Sequence, residues 1–195
     1  MLYDLHEFQR FFLSPLADFS NNSAQLFTNP YSPWAYTPIS KQIAAGYELL
    51  HRIGKDYEKP TWDIDFVESQ GQTCTVLQQT VYSKPFCHLV HFSLEPSTTP
   101  RPQILLVAPL SGHHATLLRD TVRTLLQDHD VYVTDWIDAR MVPLSSGSFH
   151  LNDYVLYIED FLQYLDADIH VIAVCQPTVP VLAAVSLMAA KNSPH

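Results

Sequence analysis

The sequence has few basic residues and few cysteines, and each scarcity excludes a class of protein. It contains 11 Lys and Arg against 20 Asp and Glu, for a net charge of -9 over 195 residues. Nucleic-acid binding needs clustered cations to contact phosphates, so we exclude it. The three cysteines are Cys74, Cys87 and Cys175. They are too scattered for a disulfide framework, and we expect free thiols in a reducing cytoplasm.

Signals for export, membrane insertion and metal binding are also missing. No apolar run reaches the roughly 18 residues of a membrane-spanning helix, so we expect no transmembrane segment. Asp4 and Glu7 stand where a secretory signal would carry basic residues, so none is predicted. The ten histidines form no His-Glu-x-x-His motif, and no Cys-x-x-Cys occurs. We therefore predict no bound metal.

Residues 1–60 have the pattern of a helical segment that is interrupted by a proline-rich loop. Apolar residues at steps of three and four predict an amphipathic helix over 4–20. Three prolines interrupt residues 28–38, and a second helix is predicted over 39–53. The apolar face of the first helix favours packing on the domain. The alternative is docking on a lipid or polymer granule.

Residues 61–195 read as one α/β domain. Residues 62–94 are rich in Val, Thr, Phe and Tyr and predict two or three antiparallel strands. Buried strands then alternate with helices. The strands are predicted at 104–108, 131–136 and 169–174, and the helices at 113–127, 152–165 and 179–190. This alternation predicts a mostly parallel, doubly wound sheet of the α/β-hydrolase type, with its site at the carboxyl ends of the strands.

Cys175 is the predicted nucleophile. It stands between the last predicted strand and a helix that we expect Thr178 to cap, which is the layout of a nucleophile elbow. The usual elbow is Gly-x-Ser-x-Gly, and here it is Ala-x-Cys-x-Pro. A thiolate is a strong nucleophile, and amide N–H groups at a helix N-terminus stabilise it. The alternative is a small buried hydrophobic residue, which is our prediction for Cys74 and Cys87.

Acyl transfer also needs donors for an oxyanion. In an elbow one donor is the N–H of the residue after the nucleophile, here Gln176. A second donor comes from the loop after an earlier strand, and we predict Ser111 and Gly112 for this role. The alternative is an ordinary turn. Asp135 ends a predicted strand, and we expect it to bond loop amides rather than to act in catalysis.

The predicted catalytic site around Cys175 lacks a general acid and a general base. In α/β-hydrolases both follow the nucleophile along the chain, and His195 is the only histidine after Cys175. We therefore expect this chain to be the front part of a longer enzyme, incomplete and inactive by itself.

Several long blocks in order resemble the intracellular polyhydroxyalkanoate (poly-3-hydroxybutyrate) depolymerase family. The blocks are LHEFQR at 5–10, AGYELLHRIGKDYEKP at 45–60, KPFCHLVHF at 84–92, APLSGHHATLLRDTVRTLL at 108–126, VYVTDWIDARMVP at 131–143 and VCQPTVPVLAA at 174–184. The resemblance covers essentially the whole chain. It implies a cytoplasmic, granule-associated enzyme that cleaves ester bonds of stored polyester through a cysteine at the position of Cys175. It also implies that the acid and histidine lie in a C-terminal half.

These observations lead to one principal hypothesis and two alternatives. The principal hypothesis is a depolymerase that forms an acyl-thioester at Cys175, with water or coenzyme A as acyl acceptor and no other cofactor. The alternatives are a granule-binding protein without catalysis and an acyltransferase like the related polyester synthases. The expected partner is the polymer granule, and assembly into a homo-oligomer stays open.

Overall fold

The computed structural model describes residues 19–20, 23–54, 59–96, 100–110, 114–165 and 168–191. The chain divides into two compact units, Met1–Glu58 and Lys59–His195. The helix predicted over 4–20 lies almost wholly outside the described residues, so its docking role stays a prediction.

The described part of the first unit consists of helices joined by turns. Residues 23–28 are helical, a 3-10 turn covers Pro33–Tyr36, and helix α1 covers Ser40–Gly54. The Ser40 hydroxyl donates to the carbonyl of Ala35 at 2.9 Å, which fixes the entry to α1. The helix predicted over 39–53 is therefore confirmed.

The second unit begins with three strands and continues with alternating strands and helices. The strands are β1 Phe66–Ser69, β2 Gln72–Lys84, β3 Cys87–Glu95, β4 Gln103–Val107, β5 Asp130–Trp136 and β6 His170–Ala173. The helices are α2 Arg119–Leu125, α3 Leu151–Tyr164 and α4 Thr178–Ala190. Short 3-10 turns cover Ala115–Leu118, Ala139–Met141 and Leu144–Ser146. Each predicted strand and helix of this unit is present.

The strands form one curled, six-stranded sheet in the order β1-β2-β3-β5-β4-β6. The pairs β1–β2, β2–β3 and β3–β5 are antiparallel, whereas β4–β5 and β4–β6 are parallel. The prediction of a mostly parallel, doubly wound sheet is therefore wrong. The sheet is mixed, and antiparallel pairs are in the majority.

The error comes from how strands assemble. Helical crossovers at α2 and α3 do make the three later strands parallel, as the alternation predicted. The antiparallel meander β1–β3, however, joins the same sheet, because β3 pairs with the open edge of β5. Val90 lies opposite Val133, and both side chains are buried. Local periodicity predicts each strand but does not say which edge a meander will extend.

Apolar residues cover both faces of the sheet. On one face, the 3-10 turn at Ala115–Leu118 and helix α2 pack on side chains that include Phe92, Leu106 and Val133. On the other face, α3 and α4 pack on Leu89, Leu105 and Val107. Strands β4 and β5 are thus buried on both sides, which explains why they read as continuous apolar runs, whereas the edge strand β6 is only partly buried. None of the helices within the described residues is both long and apolar enough to cross a membrane.

Candidate functional site

Cys175 lies in the tight turn between β6 and α4, and its thiol is exposed to solvent. The turn is short because Pro177, in helical geometry, already precedes the first residue of α4. The Thr178 hydroxyl and the Thr178 N–H both donate to the carbonyl of Cys175, at 2.8 Å and 3.2 Å. The backbone of Cys175 is therefore held while its side chain stays free to react.

The backbone of Cys175 is left-handed, with φ of 68°. This conformation costs a residue with a Cβ about 1–2 kcal/mol, so packing and hydrogen bonds must hold it. A left-handed residue between a strand and a helix presents its side chain above the sheet edge, as a nucleophile elbow requires. The predicted strand–turn–helix is confirmed at this position.

The cap of α4 differs from the prediction. Pro177 is the N-cap residue, and no side chain accepts a hydrogen bond from the first turn of the helix. Thr178 is the first helical residue, and its hydroxyl bonds backwards to Cys175 rather than forwards into the helix. Proline has no N–H to leave unpaired at the start of a helix, and its side chain has no acceptor. The helix therefore begins without a side-chain cap.

Gln176 follows the thiol and connects two loops. Its side-chain oxygen accepts a hydrogen bond from the N–H of Leu110 at 3.2 Å. Leu110 belongs to the loop after β4, so this bond ties the thiol turn to the loop in which the second oxyanion donor was predicted. Ser111 and Gly112 lie outside the described residues. Their role, and that of the Gln176 N–H, stays a prediction.

Strand β5, next to β4, brings charged groups to the carboxyl edge of the sheet, where Cys175 also lies. After β5, Asp138 caps the 3-10 turn Ala139–Met141 by accepting from the N–H of Arg140 at 2.9 Å. The Arg140 guanidinium also binds the Asp138 carboxylate, with Nη2 at 2.6 Å. These hydrogen bonds hold the pKa of Asp138 below its usual value, and the charge of nearby His114 lowers it further. Residues 135–140 are one of the strand ends at which the sequence predicted a site, but the pairing of Asp138 with Arg140 was not predicted.

Asp135 lies within strand β5 itself, before the loop that carries Asp138. Its carboxylate is buried and pairs with the ammonium of Lys59, 76 residues away in sequence. On the neighbouring strand His88 is directly opposite. The expected role, bonding loop amides, is replaced by an interior ion pair. The spacing of these residues gives no signal for it.

Cys74 and Cys87 are buried within β2 and β3, as predicted. Burial raises the pKa of the Cys87 thiol well above its usual value, and the charge of Asp135 raises it further. Because the thiolate is the nucleophile, burial and the raised pKa argue against Cys87 as a reactive thiol. Of the three cysteines, Cys175 alone combines exposure with a position at the carboxyl edge.

The described part of the chain places no three His, Cys, Asp or Glu side chains close enough together to hold a metal ion. Comparisons of the chain with models of protein families, with curated proteins and with solved structures find no match.

Proposed function

We propose that this chain carries the nucleophile, Cys175, of an enzyme that cleaves the ester bonds of poly-3-hydroxybutyrate through an acyl-thioester. One observation carries the proposal: an exposed thiol sits on a left-handed residue between a parallel strand and a helix. The resemblance of several blocks to intracellular polyhydroxyalkanoate depolymerases supports the choice of substrate. We also propose that the protein is associated with polymer granules in the cytoplasm.

The chemistry proceeds in two steps. The Cys175 sulfur attacks the ester carbonyl carbon, and the C–O bond to the leaving alkoxide breaks as that alkoxide takes up a proton. Water or coenzyme A then attacks the thioester and restores the thiol. During each step the carbonyl oxygen carries negative charge, and the N–H of Gln176 is the proposed donor on the thiol side. Each such donor contributes on the order of 3 kcal/mol.

The first step can be tested without the polymer. The chain is mixed with the soluble ester p-nitrophenyl butyrate, and acyl adducts are located by peptide mass spectrometry. We expect one adduct, on Cys175, formed at least about tenfold faster than on N-acetylcysteine, because an elbow positions and activates its nucleophile. Cys74→Ala is the matched control and retains the adduct. Acylation of Cys175 no faster than the free thiol would overturn the proposal.

The second test uses amorphous poly-3-hydroxybutyrate granules and measures released 3-hydroxybutyrate units. Because the predicted site lacks an acid and a base, the chain is assayed alone and with its full downstream reading frame. Release that is lost in Cys175→Ala and kept in Cys74→Ala supports the depolymerase. Consumption of 3-hydroxybutyryl-coenzyme A with growth of polymer would instead identify a synthase. Equal release by the two variants would contradict the role of Cys175.

A further inference from the structure

Ala108 is the first residue after β4, and side chains from β5 and α3 bind its backbone. The residue is fully buried. Its N–H donates to the hydroxyl oxygen of Thr134 at 2.9 Å, and its carbonyl accepts from Nε1 of Trp136 at 2.9 Å. The Tyr154 hydroxyl donates to the same carbonyl at 3.5 Å. Both polar backbone groups of Ala108 are therefore paired, although the pairing of β4 with its neighbouring strands ends at Val107.

The side chains that bind Ala108 are themselves held in place. Thr134 is fully buried, and Trp136 is 6% exposed. The Trp136 indole packs edge-on against the Tyr154 ring, with centroids 4.5 Å apart. Burial raises the pKa of Tyr154, so its hydroxyl keeps the proton that it donates. Because a buried backbone group is costly to leave unpaired, Ala108 has little freedom to move.

The position of Ala108 determines where the loop after β4 runs. Only Pro109 separates it from Leu110, and the proline ring fixes its own φ angle. The N–H of Leu110 then donates to the side-chain oxygen of Gln176 at 3.2 Å. The residue after the thiol is therefore connected to β5 through three consecutive residues of this loop.

The peptide that joins Cys175 to Gln176 is held from two sides. On one side, the N–H and the hydroxyl of Thr178 both donate to the Cys175 carbonyl. In a trans peptide the N–H points away from the carbonyl, so the Gln176 N–H is directed away from the first turn of α4. On the other side, the Gln176 side chain is bound to Leu110. These contacts fix the direction in which the Gln176 N–H donates.

We propose that Thr134 and Trp136 are positioning residues for the oxyanion donor, the N–H of Gln176. They act through the backbone of Ala108 and not on the reacting atoms. When the thiolate sulfur bonds to the ester carbon, the electron pair of the C=O bond moves onto oxygen, which that N–H stabilises. A displacement of about 1 Å is enough to lose much of such an effect. This inference rests on the proposed function, which supplies the reaction.

Two reactions of the Cys175 thiol separate the placement of the donor from general damage. Acylation by p-nitrophenyl butyrate passes through an oxyanion, whereas alkylation by iodoacetamide displaces iodide from a saturated carbon and forms none. The p-nitrophenolate leaves without being protonated, so this acylation does not need the general acid that the site lacks. Both reactions use the same thiolate, so a change in thiol pKa or exposure cancels in the ratio of the two rates. Peptide mass spectrometry gives both rates.

Thr134→Val and Trp136→Phe each remove one hydrogen bond to Ala108 and change the shape of the side chain little. We expect acylation of Cys175 to fall about tenfold or more in each variant, and alkylation to stay within about twofold of wild type. Thr134→Ser keeps the hydroxyl acceptor. Its ratio of acylation to alkylation therefore returns to within about threefold of the wild-type value.

Trp62→Phe is the matched control. Trp62 is 5% exposed, which is close to Trp136, and its Nε1 has no hydrogen-bond partner within the described part of the chain. The identical substitution there removes no hydrogen bond, so we expect the ratio of the two rates to stay at the wild-type value.

A variant at an exposed position guards against failure to fold. Gln176→Met removes the side-chain oxygen that accepts from Leu110 and keeps its own backbone N–H. Because Gln176 is exposed, this variant folds even where an interior variant does not. We expect the same selective loss of acylation. Circular dichroism and thermal melting of every variant establish which of them are folded.

Three outcomes would overturn the inference. They are an unchanged ratio in the folded variants of Thr134, Trp136 and Gln176, equal losses of acylation and alkylation in them, or the same selective loss in Trp62→Phe. A wild type that acylates no faster than N-acetylcysteine would instead overturn the proposed function and, with it, this inference. That failure is recognised in the wild type, before any variant is compared.

Discussion

The same thiol group stands in three different surroundings at Cys74, Cys87 and Cys175. The first two are buried in strands, and Cys175 is exposed at a turn. For Cys87, burial also keeps the proton on sulfur by raising its pKa. Reactivity therefore follows from position in the fold rather than from residue type.

This difference predicts selective alkylation. In the native protein iodoacetamide modifies Cys175, and Cys74 and Cys87 react at least about tenfold more slowly because they must wait for local opening. Peptide mass spectrometry at successive times gives the rates. In urea all three react alike. Comparable native rates at Cys87 and Cys175 would contradict the burial of β3.

The buried ion pair predicts an asymmetric response to mutation. Lys59→Met leaves the Asp135 carboxylate buried without its cation, and we expect a loss of about 2–3 kcal/mol in the free energy of unfolding. Asp135→Asn costs less, because the partly exposed Lys59 ammonium can turn to water. Urea titration of both variants measures the difference. Equal losses would mean that Lys59 is as confined as Asp135.

His91 predicts a pH dependence of stability. Burial lowers its pKa, and Asp130, with an oxygen 3.9 Å from Nε2, opposes part of that effect. Tyr132 stacks on the ring, and Arg101 faces the same carboxylate. The unfolded chain therefore takes up a proton at higher pH than the folded chain. The stability that neutral His91 contributes is present above about pH 6.5 and is lost as pH falls through the folded-state pKa.

The measurement is the urea midpoint between about pH 8 and pH 5, across the ordinary histidine range. His91→Gln cannot titrate, so its midpoint changes less over this interval than that of the wild type. If the urea midpoints of the wild type and the variant change equally with pH, groups other than His91 cause the pH dependence of stability.

At the scale of elements, α3 shows how one helix separates a buried face from an exposed one. Leu162 is buried among Phe161 and Leu165, whereas Leu156 on the same helix is half exposed. We expect Leu162→Ala to cost about 2–5 kcal/mol through lost burial and a cavity, and Leu156→Ala to cost about 0.5 kcal/mol. Thermal melting compares the two identical substitutions. Similar losses of stability would mean that Leu156 is as buried as Leu162, so that α3 is rotated about its axis.

The elements that local pattern determines could be predicted. The apolar stripe of α3, the β-branched runs of β4 and β5, and the turn at Gly71 each depend on residues near in sequence. Gly71 has φ of 77°, which the turn between β1 and β2 requires. Assembly of the sheet depends on the antiparallel pairing of β3 with β5, which are separated by β4 in the chain. The local hydrophobic periodicity of a strand carries no information about which strand it will pair with.

The candidate site likewise has features that the local sequence predicts and features that it does not. Cys175 was predictable because its signal, strand then turn then helix, is contiguous. The contact of Gln176 with Leu110 spans 66 residues, and that of Lys59 with Asp135 spans 76. Both depend on which strands become neighbours, so they followed only once the fold was known. The Thr178 cap failed because Pro177 already adopts helical angles before it.

At the scale of the whole molecule, the two apolar clusters found among the described residues consist of residues from the second unit. Their members run from Trp62 to Met188. We expect a chain of residues 59–195 to fold without the first unit, keeping one cooperative melting transition within a few degrees of the full chain, since no cluster residue is removed. Cys175-selective alkylation provides a second readout. A truncated chain with no cooperative transition would contradict this independence.

The position of β4 also imposes an order in time. This strand is the centre of the parallel group, yet both of its neighbours come later in the chain, β5 at Asp130 and β6 at His170. During synthesis the hairpins of β1–β3 can close as soon as they emerge, because their contacts are local. The edge that carries Cys175 cannot assemble until the ribosome has released nearly all of the second unit. Among the elements described, the reactive turn therefore forms after strands β1–β5 have been synthesised.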